Sequence, residues 1–121
     1  MSTQAKSYPV ASGVTVTPGL AVWIDNGEIR IADETELAVG FTVEPGGPGD
    51  LVTVRYSGEI YAQTDGSMSA GSRVQASSAG DGTVASGTGL FGRFLGIALD
   101  DTAGGLTLVA IGPFDVDAPA P

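Results

Sequence analysis

Two stretches of this 121-residue chain read alike, and a repeated unit constrains the fold more than any single motif does. Gly40-Phe41-Thr42-Val43 leads through a Gly-rich, acidic turn into Val52-Thr53-Val54-Arg55-Tyr56-Ser57-Gly58. Gly96-Ile97-Ala98-Leu99 leads through a second such turn into Leu106-Thr107-Leu108-Val109-Ala110-Ile111-Gly112. The segments upstream also match, Pro18-Gly19-Leu20-Ala21-Val22 with Ala70-Gly71-Ser72-Arg73-Val74. Two tandem copies, each of roughly four short strands, would stack as a β-sandwich or close into a small β-barrel. Closure would also hide strand edges that otherwise template aggregation. A plain meander of hairpins looks repetitive as well, and the residues alone leave both origins open.

The local pattern is period two. Over 51–56, Val52, Val54 and Tyr56 alternate with Thr53 and Arg55, giving one apolar and one polar face. Asn26-Gly27 separates 21–24 from 28–32, and both positions tolerate the positive φ of a type I′ hairpin turn. Further strands are expected over 10–16, 37–43, 59–63, 73–76, 83–86, 91–99 and 105–111. Helical spacing extends no further than one turn near 33–37, so the class is all-β. Residues 1–9 read as a flexible, extended N-terminal arm that is disordered alone. Residues 113–121 hold three of the seven prolines and read as an extended Pro-rich C-terminal tail. Between them, 10–112 reads as a single β domain, with the copies at about 10–63 and 67–112.

Composition excludes much chemistry. Without Cys there are no disulfides, zinc–thiolate sites or thiol nucleophiles. Without His, the commonest general base and transition-metal ligand is missing. Fourteen acidic residues face only Lys6, Arg30, Arg55, Arg73 and Arg93, a net charge of −9. Phosphate neutralisation needs clustered cations, so nucleic acid is disfavoured as a partner, and so is an anionic membrane. Residues 1–9 contain no apolar run of a signal peptide, and nothing approaches the ~20 apolar residues of a membrane span. The chain therefore reads as made and kept soluble.

The stretch Val39-Gly40-Phe41-Thr42-Val43, turn, Gly49-Asp50-Leu51 through Tyr61 resembles the decoration (cement, or head-stabilising) proteins of tailed bacteriophages and related viruses. Phe94-Leu95-Gly96-Ile97-Ala98-Leu99 with its following turn and strand shares the likeness, which covers about residues 10–112. The resemblance implies a non-enzymatic virion protein, made in the host cytoplasm and bound to the outer capsid surface. It implies as partner the major capsid protein of the expanded lattice, which it clamps against internal pressure, and a homotrimeric state. It implies an arm that orders on the shell by adding a strand to an exposed edge, a known recognition mode. On this reading Tyr8, Pro9, Val10, Arg55 and Arg73 are candidate capsid contacts. Trp23, Val52, Val54 and Tyr56 are candidates for the core or a subunit interface, with Trp23 leaning inward.

The remaining polar residues weigh toward structure. Asp100 and Asp101, or Glu44 with Asp50, lack the dense ligand spacing of a calcium loop and read as solvated turn carboxylates. Glu28, Glu59 and Asp65 are the sort of carboxylates any acidic β-protein carries, and eight aromatics scarcely line a sugar cleft. Gly46-Gly47-Pro48-Gly49 lacks the Lys and the helix of a phosphate loop and reads as a hairpin turn. Neither a catalytic residue nor a cofactor or metal is expected. The rival functions are a carbohydrate-binding or adhesive surface module, which needs an exposed aromatic platform, and a tail or baseplate subunit.

Overall fold

Among the described residues, short β-prone runs punctuated by glycine turns fold into nine strands. They are β1 Gln4–Pro9, β2 Ala21–Asp25, β3 Glu28–Ile31, β4 Gly40–Thr42, β5 Leu51–Gln63, β6 Arg73–Ala76, β7 Val84–Ser86, β8 Gly96–Ala98 and β9 Leu106–Ile111. The computed structural model describes residues 4–36, 38–87 and 95–112. Among them there is no helix; of the turn expected near 33–37, residues 33–36 form one in which the Glu36 N–H donates to the Asp33 carbonyl at 3.3 Å and Asp33 Oδ1 accepts the Thr35 N–H at 2.8 Å. The β2–β3 hairpin turns at Asn26 (φ 54°) and Gly27 (φ 79°), the conformation expected of Asn-Gly.

The strands form two circuits that share β5. In the first, β3, β2, β4 and β5 are hydrogen-bonded in that order, and β1 pairs the 51–57 portion of β5. A parallel bridge from Val10 to Ile29 then links the end of β1 back to β3. In the second, β7, β6, β8 and β9 follow in order, and β9 pairs the 58–63 portion of β5. A parallel bridge from Thr64 to Val84 links the end of β5 back to β7. Each circuit returns on itself, which makes the architecture a small barrel rather than two stacked open sheets.

The circuits repeat bond for bond. Val39 N–H donates to the Val22 carbonyl at 2.9 Å, and Leu95 N–H to that of Val74 at 2.7 Å. Gly19 N–H donates to Thr42 and Gly71 N–H to Ala98, both at 2.7 Å. Val43 N–H reaches the Thr53 carbonyl at 3.1 Å, and Leu99 N–H that of Leu108 at 2.7 Å. Ala11 N–H reaches Ile29 at 3.1 Å, and Asp65 N–H reaches Val84 at 2.8 Å. On these bonds the copies run over 4–57 and 58–112, each with five strands, the first being β1 in one and the second portion of β5 in the other.

Three sequence expectations change. Residues 4–9 of the arm form β1, held along β5 by backbone bonds although their side chains are largely exposed. Residues 10–16 are not a strand, because the chain turns where Val14 N–H donates to the Ala11 carbonyl at 3.2 Å. Val10 and Val16 instead plug the core from that loop, each 1% exposed. The runs 51–56 and 59–63 are one strand of 13 residues, since Ser57-Gly58 bends the chain without reversing it. Leu37, residues 91–94 of the expected 91–99 strand and the 113–121 tail lie outside the described residues.

Among the described residues, two apolar clusters form the interior. One belongs to the first copy alone and includes Val10, Val16, Val22, Ile29, Val52 and Val54. The other combines Val74, Val84, Leu95, Val109 and Ile111 of the second copy with Ala21, Ala32 and Phe41 of the first. Trp23, Ala38 and Val43 pack against this second cluster. The first copy thus covers the open side of the second.

Candidate interaction surface

The residues proposed for capsid contact part company in the structure. Tyr8 and Pro9 end β1, opposite Val52 and Leu51, and remain half-buried. Val10 is in the core and has no surface to offer a partner, because the bridge to Ile29 turns it inward. Arg55 is half-buried on β5, its Nη1 donating to the Glu59 carbonyl at 2.8 Å, while its Nε is covered with no hydrogen-bond partner among the described residues. Arg73 lies on β6 in the other copy, also half-buried, opposite Ile97.

The four core-or-interface candidates also divide. Val52 and Val54 are fully buried. Trp23 pairs with Arg30 across the hairpin and packs, half-buried, against the shared cluster. Tyr56 is 38% exposed. Its position has a local cause: the β1–β5 register slips between Gln4 and Ala5, so Tyr56 is an unpaired bulge residue and is turned away from the core.

Tyr56 and Val39, which is 40% exposed, border an open groove of about 370 Å³ floored by buried Val54. Lys6 and Tyr8 form its other wall, with the Lys6 ammonium 5.5 Å from the Tyr8 ring centroid. A second recess of about 440 Å³ lies where the copies meet, with Arg55, Glu59, Tyr61 and Leu108 among its lining. Lys6, Val39 and Leu99 are not among the sequence candidates for this surface. The repeat read from the residues places Val39 with Leu95 but Tyr56 with Ala110, and the match of Tyr56 with buried Ile111 comes only from the strand register.

The turn carboxylates are backbone caps rather than merely solvated groups. Glu44 Oε1 accepts the Thr53 N–H at 2.8 Å, and at the matching position Asp100 Oδ1 accepts the Leu108 N–H at 3.0 Å. Asp101 Oδ1 accepts the Ala70 N–H at 2.9 Å, and Asp50 Oδ2 accepts the Gly47 N–H at 2.9 Å, closing the expected glycine turn. Asp81 is held below the usual aspartate range, first by the Thr83 hydroxyl and then by the Thr83 N–H, against a smaller opposing effect of burial. Thr35 does the same for Asp33. Among the described residues no group of three or more Asp, Glu, His or Cys is placed to hold a metal ion.

Among solved structures, the chain is similar to the N base of head fiber gp8.5 in bacteriophage phi29. The TM-score is 0.67 at 18% sequence identity, over 90% of this chain and 95% of that one. The likeness is one of fold. No protein-family model matches the chain, and no curated protein sequence does.

Proposed function

We propose that this chain is a structural protein of a tailed-virus head. It sits on the outer capsid surface as a homotrimer and braces the expanded lattice of the major capsid protein. The observation that carries the reading is the fold shared nearly end to end with a protein described as the base of a phage head fiber. The chemistry agrees with it: the net charge of −9 suits an exposed particle surface, and the ordered carboxylates serve the fold's own turns. Contact with the shell falls to the β1 side, where Tyr8 and Pro9 are half-buried and Gln4–Ser7 are exposed.

Co-sedimentation of the purified protein with undecorated shells of its own virus, before and after expansion, tests the role. Saturable binding to expanded shells at a fixed ratio per capsid subunit is the expected result. Binding to neither form would discard the decoration role and bring forward the adhesive-module reading. Binding only at the portal or tail would favour a tail or baseplate subunit.

A further inference from the structure

Because the two copies are built alike, each surface of one has a counterpart in the other whose surroundings are known. The second copy's groove is filled. Ile60, Leu95, Val109 and Ile111 are each 8% exposed or less, and Ala21, Ala32 and Phe41 of the first copy share their cluster. The matching positions in the first copy are Lys6, Val39, Val54 and Tyr56, which form the open groove of about 370 Å³. Nothing within the described residues plays toward it the part that Phe41 and Val43 play toward the second copy.

The covering face has its own duplicate. The bonds that match β4 with β8 place Ile97 where Phe41 stands and Leu99 where Val43 stands. Phe41 is fully buried, whereas Ile97 is only half-buried and Leu99 is 44% exposed. Among the described residues, one chain thus carries an open groove in its first copy and, in its second, an exposed counterpart of the face that fills such a groove.

We infer that the first-copy groove is occupied by the β8 face of a second copy of this chain, in a head-to-tail contact that repeats between molecules the joint already made within one. The contact is heterologous, so it propagates until the rotation closes a ring. Ile97 is smaller than Phe41, and Gln75 stands where Trp23 does, so the contact between molecules buries less than the internal joint. Assembly is therefore concentration-dependent. This inference concerns the free protein and stands or falls separately from shell binding, which it does not require.

The test uses the full chain and two variants at exposed positions, Val39→Asp in the groove and Leu99→Asp on the plug, with circular dichroism to verify folding. Sedimentation velocity over a concentration series is expected to show wild type above monomer mass and each variant at monomer mass. The decisive arm is the mixture. Val39→Asp keeps a good plug and Leu99→Asp keeps a good groove, so together they form a 1:1 complex that grows no further. A monomeric wild type at high micromolar concentration would overturn the proposal. So would variants that still assemble, or monomeric variants that fail to complement, which would mark a symmetric interface. If wild type is monomeric and deletion of residues 113–121 makes it assemble, the groove belongs to the chain's own tail and the inference is wrong.

Discussion

Gly40 and Gly96 occupy the same place in the two copies, and each has a neighbouring strand's backbone where a side chain would begin. A Cβ on Gly40 would collide with the carbonyl oxygen of Arg55, and one on Gly96 with that of Ala110. Backbone of a paired strand cannot swing aside as a side chain can, so Gly96→Ala is expected to cost about 1–3 kcal/mol through overpacking. Gly47→Ala is the control, since its Cβ would meet nothing nearer than Asp50 Oδ2 at 3.9 Å, and its cost should stay within about 0.5 kcal/mol. Chemical denaturation measures both; equal costs would show that the close approach is unimportant. The recurrence of these glycines was legible in the sequence. Their reason was not, because it depends on which carbonyl the strand register sets opposite. Asp81 supplies a second test at this scale. Its lowered pKa means that it contributes stability above the unfolded aspartate value of about 3.9, and that this is lost as pH falls through the lower folded value. Thr83→Val removes the hydroxyl donor, so the Asp81 pKa should rise toward the ordinary value in a carboxyl NMR titration. An unmoved titration would assign the shift to another cause.

At the scale of elements, β1 shows what alternation detects and what it misses. β5 announces itself through Val52 and Val54 alternating with Thr53 and Arg55, β9 through a short run that is apolar on both faces, and the β2–β3 hairpin through Asn26-Gly27. Gln4-Ala5-Lys6-Ser7 buries no face, and the strand there is set by backbone pairing with 53–57 of β5. Such a strand leaves no period in the sequence. Deleting residues 2–7 removes that pairing and bares the edge of β5 that it covers. The truncated protein is expected to unfold several degrees below wild type in a thermal melt monitored by circular dichroism. Its occupancy on expanded shells should also fall, measured well below that melting point so that the two effects separate. Unchanged stability would mean that β1 is not part of the free fold, and unchanged occupancy would remove the arm from the capsid contact.

The whole molecule is two like units that are unequal in what they bury. Fold class followed from composition and period, since 19 glycines and a run of short alternating segments leave little room for helices. The candidate surface did not follow, because Tyr56 and Val39 look like any core residues until the register shows which copy is covered. That asymmetry makes the second copy dependent on the first. Phe41 is fully buried in a cluster composed mainly of second-copy residues, so truncating it opens a cavity between the units as well as within one. Phe41→Ala is expected to cost about 3–5 kcal/mol. Wild type should unfold in one transition, with Trp23 fluorescence at the joint coinciding with far-UV circular dichroism. In Phe41→Ala the two probes should separate, because the second copy then loses its cover while the first retains its private cluster of Val10, Val22, Ile29, Val52 and Val54. Val52→Ala, which weakens only that private cluster, should lower stability yet keep the probes together, since losing the first copy also uncovers the second. Coincident probes in Phe41→Ala would show that the units are coupled through continuous β5 alone, and that their apolar joint is dispensable.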